Sequence, residues 1–255
     1  MHQCSFCELE SEIDGWNLSA DKCGNGFWCE SCDGFTYYGE RKHHFKLILE
    51  DKKRGKNIKT KSDIKFSKRL SPYRYPVGKS KIIDYLYTHI NKNKTNKLVS
   101  PFTGGGSFEL ALLHAGVVKE LHLNDLDKGV YSLWKTIKDS PISLINRLKT
   151  ITPTHKDFFE ARDIINLGYP GVSTVDAAWF SLLVNRLYFS GISKANPLGG
   201  KHGTQKQLLS RWNPDNLIKR IAAIHRLSDN IIITHENAVD LIEEAYWEDK
   251  TTIFI

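Results

Sequence analysis

Four cysteines near the N-terminus have the spacing of a metal site. Cys4 and Cys7 form one Cys-x2-Cys pair, Cys29 and Cys32 form a second, and twenty-one residues separate the two pairs. A tight pair directs two thiolates at one ion, and two pairs complete the tetrahedral shell that Zn2+ prefers. Buried thiols without a metal are the alternative, which matched pairs disfavour. The pattern predicts a zinc module with four cysteine ligands over residues 1–45. Metal binding would supply most of its folding free energy, because so short a segment has little apolar core.

Two questions about this module stay open at the level of the sequence. Cys23 is a spare cysteine that either replaces one of the four ligands or remains a free thiol. The aromatic residues of the module form either a miniature core, which is the interpretation we favour, or a platform on which bases stack. These aromatic residues are Trp16, Phe27, Trp28, Phe35, Tyr37 and Tyr38.

A glycine-rich turn lies between two short apolar segments farther along the chain. Leu98–Ser100 is predicted as a strand, Pro101–Ser107 (PFTGGGS) as the turn, and Glu120–Asn124 as a second strand that leads directly into Asp125. Glycines let a backbone approach a ligand closely, and an acid after the second strand is suited to holding ribose hydroxyls. The glycine spacing is not that of a dinucleotide site, so we expect a nucleoside without a pyrophosphate. An ordinary tight turn is the alternative that the pattern leaves open.

Capping residues and apolar periodicity predict the elements around this turn. Ser107 is the predicted N-cap of a helix through Leu113, which Gly116 is placed to end. Asp125 has a second possible role as the cap of a helix over Lys128–Ile137. Alternating strands and helices predict an α/β fold. Apolar spacing predicts further helices over residues 82–90, 177–184, 215–224 and 240–246, and further strands over residues 231–234 and 251–255.

Four motifs make the chain similar to the Dam-type, D12 class of DNA adenine-N6 methyltransferases. Arg74–Lys79 (RYPVGK) resembles the N-terminal motif of that family, and Pro101–Ser107 resembles its methyl-donor loop. Asn124–Asp127 (NDLD) resembles the Asn-Asp after the second strand, and Asn185–Gly191 (NRLYFSG) more loosely resembles part of the target region. The resemblance runs from Ser71 onward and leaves the cysteine module outside. It implies a Rossmann-like methyltransferase core that uses S-adenosylmethionine and acts on double-stranded DNA.

The resemblance also implies roles for individual residues. Tyr75 and Lys79 would contact S-adenosylmethionine, the glycine-rich loop would pass its methionine moiety, and Asp125 would hold its ribose. Asn237 stands where the family usually has an Asp thought to contact the donor's adenine. Packing for Tyr75 and plain surface charge for Lys79 are the structural alternatives. The implied cofactor-binding set is Tyr75, Lys79, Phe102, Gly104, Gly106, Asp125 and Asn237.

Residues 153–229 do not continue the alternation of strands and helices, and we interpret them as a mostly helical target-recognition insert. Within this insert, Ser190–Trp212 contains a long polar, glycine-rich stretch, and such loops between packed helices are often functional. A mobile, solvated loop is the alternative. We predict DNA contacts by Arg186, Lys194, Lys201 and Arg211.

The positive charge of the chain is concentrated in one segment. Residues 41–100 contain eighteen Lys and Arg against four acids, whereas residues 101–255 contain seventeen of each. So basic a segment favours a polyanion such as DNA, although a solvated basic linker over residues 46–70 explains part of it. Together with the zinc module, the linker and the insert, this division of the chain leaves residues 71–152 and 230–255 as the methyltransferase core.

The composition excludes some classes of protein and leaves others open. No apolar run approaches the roughly twenty residues of a membrane-spanning helix, and the first residues lack the apolar core of a signal peptide. We therefore expect a cytoplasmic protein. The resemblance further implies an enzyme of phage or restriction-modification type. The DNA target sequence and the oligomeric state cannot be predicted from these residues.

The catalytic Asp-Pro-Pro-Tyr of the family does not occur in these 255 residues. In the family this motif follows a strand such as 251–255. Its Asp carboxylate accepts a hydrogen bond from the adenine amine, and its Tyr stacks on a base flipped out of the duplex. We therefore expect a truncated, split or incompletely recorded chain that binds the donor without transferring a methyl group. The alternative is a non-catalytic zinc and basic DNA-binding protein with a degenerate methyltransferase core.

Overall fold

A computed structural model gives the structure of the chain. It describes residues 64–67, 69–74, 79–91, 94–189 and 196–255, together with the backbone of four short strands before residue 38. The chain divides into two compact units, Met1–Lys59 and Thr60–Ile255. The division falls inside the segment that the sequence predicts to be a basic linker.

The first unit contains two small antiparallel hairpins. Strand β1 (His2–Gln3) pairs with β2 (Glu10–Ser11). Strand β3 (Gly26–Cys29) pairs with β4 (Gly34–Tyr37), and Cys29 lies opposite Gly34 in the register. Each hairpin connection therefore begins next to one of the predicted Cys-x2-Cys pairs.

A four-stranded parallel sheet organises the second unit. Its strands are β5 (Lys97–Ser100), β6 (Glu120–Asn124), β7 (Ile231–Thr234) and β8 (Thr251–Ile253). Their order in the sheet is β7-β6-β5-β8, and every neighbouring pair is parallel. Parallel neighbours require crossover connections, so the predicted α/β fold is confirmed. The fourth strand ends at Ile253, two residues earlier than predicted.

Most of the chain between these strands is helical. Within the described residues, three short 3-10 turns, at Lys79–Lys81, Leu209–Arg211 and Ser228–Asn230, accompany the α-helices. The α-helices of the described residues are α1 (Ile83–Tyr87), α2 (Ser107–His114), α3 (Lys128–Asp139), α4 (Pro141–Thr150), α5 (His155–Asn166), α6 (Thr174–Leu187), α7 (Gln205–Leu208), α8 (Pro214–His225) and α9 (Ala238–Tyr246). None of the described helices is both long and apolar enough to cross a membrane.

Both faces of the sheet are covered. Leu98 of β5 belongs to the main core, which includes buried residues of α2, α3 and α6, whereas its neighbour Val99 packs with Leu241 and Ala245 of α9. Successive residues of a strand point to opposite faces. Helix α9 therefore covers one face, and the larger helical layer covers the other.

The start of α2 differs from the prediction. Its N-cap is Gly106, with φ +54°, and Ser107 is the first residue of the helix. The left-handed conformation that ends the glycine-rich turn falls on Gly106, where the missing Cβ makes it inexpensive. The turn therefore extends to the helix itself, and Ser107 supplies no capping bond. The predicted end is confirmed, because the amide of Gly116 donates to the carbonyl of Leu113.

The described end of the predicted linker belongs to the core. Phe66 is buried and contacts the ring of Tyr87 edge to face at 4.9 Å between centroids. Ile64 and Leu70 pack against the same cluster. The prediction that the linker reaches residue 70 is therefore wrong from residue 64 onward, because isolated apolar residues in a basic sequence give no periodic signal.

The predicted insert is helical, as expected, but it is not a separate layer. Among its described residues it contains α5 to α8 and no strand of the sheet. Helix α6 packs against α3, and α8 packs against α4. Buried residues of α6 and α8, such as Leu182 and Leu217, join the same cluster as the sheet residues. Part of the insert is therefore structural support for the sheet.

Candidate functional site

The strand order creates a crevice at the carboxyl edge of the sheet. From β5 the chain proceeds to β6 and then β7 on one side, whereas β8 lies on the other side of β5. In open α/β sheets, ligands bind outside the carboxyl ends of the strands where the order reverses. The glycine-rich loop leaves the end of β5, next to this point.

Hydrogen bonds hold the glycine-rich loop in one conformation. The Thr103 amide donates to the Asn124 carbonyl at 2.9 Å, and the Gly104 amide donates to Asp125 Oδ2 at 2.7 Å. The indole Nε1 of Trp134 donates to the Gly104 carbonyl at 3.1 Å. A Cβ added at Gly106 would lie 3.2 Å from the Trp134 ring. Glycine at position 106 is thus favoured by the left-handed backbone conformation, and a Cβ there would also crowd the Trp134 ring.

Asn124 joins the ends of three segments beneath the loop. Its side-chain nitrogen donates to the carbonyls of Pro101 and Glu236, at 3.1 and 3.0 Å. Its side-chain oxygen accepts from the Glu236 amide and from the Thr234 hydroxyl, each at 3.0 Å. Only 1% of Asn124 is exposed. This buried amide fixes the positions of the three strand ends relative to one another.

Asp125 is held by two backbone amides. Oδ2 accepts from Gly104, and Oδ1 accepts from the amide of Asp127 at 3.0 Å. Burial raises the pKa of Asp125, while these two bonds act in the opposite direction. The alternative role predicted for this residue is wrong, because Asp127 caps α3 by accepting from the amides of Gly129 and Val130.

The Asp125 carboxylate retains the capacity to bind a diol. An ionised carboxylate offers about four acceptor positions, and the two amides use one on each oxygen. Phe102 belongs to the loop whose Gly104 amide bonds this carboxylate, and 58% of Phe102 is exposed, so an apolar ring stands open to a ligand at the same edge. An acid with one free lone pair per oxygen and an exposed aromatic ring in the adjoining loop fit the ribose and base of a nucleoside.

A buried acid close to the loop escaped the sequence analysis. Glu109 of α2 is 1% exposed and accepts from the Ser100 hydroxyl at 2.9 Å. Lys79 Nζ lies 3.9 Å from Glu109 Oε1 and 3.8 Å from the centre of the Phe254 ring. Glu109 Oε2 is buried and has no hydrogen-bond partner. No spacing rule marks a single acid in an apolar helix, so only its place next to Lys79 identifies it.

Burial shifts both members of this pair towards their neutral forms. It raises the pKa of Glu109 and lowers the pKa of Lys79, although each charge partly opposes the shift of the other. A pair at 3.9 Å is too long for a good charge-assisted hydrogen bond. Lys79 therefore retains donor capacity for a ligand at the carboxyl edge of β5 and β8.

Of the predicted donor contacts Tyr75 and Asn237, the structure describes only Asn237. Tyr75 lies outside the described residues. Asn237 is the N-cap of α9, where its side-chain oxygen accepts from the Val239 amide at 2.9 Å. An amide oxygen has two lone pairs, so this capping bond is compatible with a second bond from an adenine amine.

The structure brings together two of the predicted DNA contacts. Arg186, near the end of α6, donates from Nη2 to the Arg211 carbonyl at 3.1 Å. The pKa of Arg186 falls to about 10 because of its burial and then because of the positive charges of Arg74, Arg220 and Arg211. Lys201 is exposed, and Lys194 lies outside the described residues. Arg74 and Arg220, which the prediction did not include, also lie close enough to Arg186 for their charges to affect its pKa.

The predicted zinc ligands fall almost entirely outside the description. This applies to Cys4, Cys7, Cys23 and Cys32, and to the side chain of Cys29. Within the part of the chain that the structure describes, no group of three or more His, Cys, Asp or Glu is placed to hold a metal ion. The zinc site of four cysteines therefore stays a prediction.

Comparison with known proteins bears on this geometry. Residues 75–249 match the family of D12 class N6 adenine-specific DNA methyltransferases, and this match spans more than half of the chain. A search of curated proteins finds no match. The matched segment contains the glycine-rich loop, Asp125 and the arginines of α6 and α8. The chain therefore belongs to the D12 class of N6 adenine-specific DNA methyltransferases.

Proposed function

We propose that this chain binds S-adenosylmethionine in the crevice at the carboxyl edge of β5 and presents it to adenine N6 in double-stranded DNA. The observation that carries the proposal is the bond between the Gly104 amide and Asp125 Oδ2, which joins the loop of one strand to the acid of the next. That bond fixes the carboxylate at the point where the strand order reverses. The family match supports the adenine specificity.

The residues of the chain bind and orient the donor, which when bound supplies a methyl group on a sulfonium. Asp125 accepts from the ribose hydroxyls with the lone pairs that the backbone leaves free. Lys79 and Tyr75 contact the donor, and the backbone of Gly104 and Gly106 passes its methionine moiety. Phe102 and Asn237 bind the adenine. We assign no catalytic residue, since Asp-Pro-Pro-Tyr does not occur in the sequence.

DNA binds on the side of the insert in this proposal. Arg186 and Arg211 are half-buried cations, Lys201 is an exposed one, and Lys194 belongs to the same polar stretch. Cationic side chains on phosphates would set the position of the duplex without reading its sequence. The glycine-rich loop and the Arg186–Arg211 contact lie on different elements of one compact unit.

We further propose that Cys4, Cys7, Cys29 and Cys32 bind one Zn2+ ion. The support is the strand pairing of the first unit, since one cysteine pair lies between β1 and β2, and the other spans the end of β3 and the connection to β4. Metal analysis of the purified chain should give one zinc per molecule. Cys29→Ser should lose it, whereas zinc retained by this variant would contradict the ligand set.

Titration calorimetry with S-adenosylmethionine tests the proposed function. Asp125→Ala should weaken binding roughly ten- to hundredfold, because hydrogen bonds to a charged group contribute about 1.5–3 kcal/mol. The matched control is Asp139→Ala, which removes a half-exposed acid that pairs with Lys135 at the end of α3. Unchanged affinity of Asp125→Ala, measured on a variant with normal thermal stability, would contradict the proposed site.

The alternative function gives a different result in the same experiment. A non-catalytic DNA-binding protein with a degenerate core would bind duplex DNA tightly and show no heat with the donor. Methyl transfer should be measured separately, with labelled donor and adenine-containing duplex, because donor binding does not require the catalytic motif.

A further inference from the structure

Four arginines from separate segments converge beside the end of α6. They are Arg74 before α1, Arg186 near the end of α6, Arg211 in a 3-10 turn and Arg220 in α8. Asn185 exchanges two bonds with the backbone of Arg74, each of 2.7 Å. Arg186 donates to the Arg211 carbonyl at 3.1 Å, and Arg220 donates to the Ser71 carbonyl at 2.8 Å. These bonds tie all four segments into one arginine cluster.

The cluster contains charge that the described residues do not balance. None of the ion pairs found among those residues involves Arg74, Arg186, Arg211 or Arg220. Arg147, by contrast, pairs with Asp176 at 2.5 Å. Burial and the neighbouring guanidinium groups lower the pKa of Arg186 to about 10, and burial and Arg211 lower that of Arg74. The guanidinium of Arg186 therefore lies close enough to the other three arginines for their positive charges to destabilise its own.

Donor capacity in the cluster is also unused. Nε of Arg186 and Nη1 of Arg211 are buried and have no hydrogen-bond partner. A buried donor without an acceptor is costly, and more so when it carries charge. All four side chains are only half-buried, so a ligand can reach the cluster from solvent. One anion with several acceptor oxygens would balance the excess charge through the accessible parts of these side chains.

We propose that the arginine cluster binds a phosphate group of the DNA backbone. This inference rests on the proposed function for the identity of the polyanion. A phosphodiester fits because it carries the negative charge that the cluster lacks, and guanidinium forks match its oxygens. A base edge fits less well, since it is neutral and would leave the mutual repulsion in place.

The cluster is placed so that a bound phosphate would position the duplex relative to the donor. Arg74 immediately precedes Tyr75, and the same segment continues to Lys79, so the phosphate and the donor are contacted from one stretch of chain. Asn185 locks the start of that stretch to α6. A phosphate bound here sets the register of the duplex relative to the donor, independently of its sequence.

Fluorescence anisotropy of the full chain with duplex DNA at several salt concentrations tests the inference. Arg211→Gln is the principal variant, since its side-chain Nη1 has no partner and the bond from Arg186 goes to its backbone carbonyl. The slope of log K against log salt concentration should become less steep by about 0.9, the value for one lost phosphate contact. Affinity should fall by a similar factor for two unrelated duplex sequences, and Arg211→Lys should restore most of the slope.

The control is Arg147→Gln, which removes an arginine that Asp176 already neutralises and should leave the slope unchanged. An unchanged slope in both Arg211→Gln and Arg220→Gln would overturn the inference. So would protection of the cluster by inorganic phosphate without any change in the DNA slope, which would indicate an adventitious ion only. Donor calorimetry on the same samples separates the two claims. Normal donor binding with an unchanged DNA slope refutes this inference alone, whereas a wild-type chain that binds neither refutes the proposed function.

Discussion

The donor crevice and the arginine cluster differ in how far their polar and charged groups are paired within the protein. In the crevice, polar groups are already paired, since Asn124 makes four hydrogen bonds and Asp125 holds two backbone amides. In the cluster, Arg186 lies near three other cations, and two buried nitrogens lack acceptors. A crevice of this kind is preorganised without its ligand, whereas the cluster is satisfied only when an anion arrives. The difference predicts that substitutions in the crevice destabilise the free protein and that substitutions in the cluster do not.

Trp134 gives the largest expected effect on the crevice side. The residue is 2% exposed and its indole nitrogen donates to the Gly104 carbonyl. Trp134→Ala should lower the free energy of unfolding by about 3–5 kcal/mol, as for other large-to-small changes in a core. Denaturant unfolding measures this. Trp247→Ala is the control, because Trp247 is 73% exposed and should change stability by no more than about 0.5 kcal/mol.

Asn124 gives the next largest effect. Asn124→Ala would leave the Glu236 amide and the Pro101 carbonyl without their present partner, and such buried groups cost about 1–3 kcal/mol each. We expect a loss of about 3 kcal/mol in unfolding free energy, together with weaker donor binding. Asn166→Ala at the exposed end of α5 is the matched control. A loss no larger than that of the control would show that the strand ends are held by something other than this amide.

Glu109 is an exception among the crevice residues, because its buried Oε2 has no hydrogen-bond partner. Burial raises its pKa above the ordinary value of 4.5. Its contribution to stability is therefore fully present below pH 4.5 and is lost as the pH rises through the pKa of the folded state. Glu109→Gln stays neutral, so its stability relative to the wild type should increase with pH above 4.5.

Glu248 provides the opposite sign as a control for Glu109. The hydrogen bond from Lys97 lowers its pKa below 4.5, so its contribution is present above pH 4.5 and is lost as the pH falls. Glu248→Gln should therefore lose stability relative to the wild type above pH 4.5. If Glu109→Gln instead behaved like Glu248→Gln, pairing with Lys79 would outweigh burial. Thermal unfolding between pH 4 and 8 distinguishes the two cases.

The sequence predicted those parts of the molecule that local chemistry specifies. The strands β5 to β7, the acid after β6 and the glycine-rich turn each have a signature within a few neighbouring residues, and the structure has all of them. The N-cap of α2 was wrong by one residue, because the left-handed φ belongs to Gly106 rather than to a capping serine. Local patterns locate an element more reliably than they locate its ends.

Contacts between distant segments could not be predicted in the same way. The pair Lys79–Glu109 joins residues thirty positions apart, and Arg220 meets Ser71 across 149 positions. Neither contact has a periodic or spacing signature, because it arises only when the helices pack on the sheet. The sequence analysis named Arg74 only as part of the N-terminal motif and Arg220 not at all, because their proximity to Arg186 arises only in the folded chain.

The smallest effect gives the sharpest test of the comparison. Arg211→Gln should leave the free protein as stable as the wild type, or raise its unfolding free energy by about 0.5 kcal/mol at low ionic strength, because it removes a repelling charge. The gain should disappear at high salt, where the repulsion is screened. With duplex DNA present the order should reverse, since the wild type is stabilised by a ligand that the variant binds less tightly. Melting temperatures of the wild type and the variant, each at two salt concentrations and with and without DNA, test these expectations. A variant that is less stable than the wild type without DNA would mean that Arg211 is structural, and the contrast between crevice and cluster would then fail.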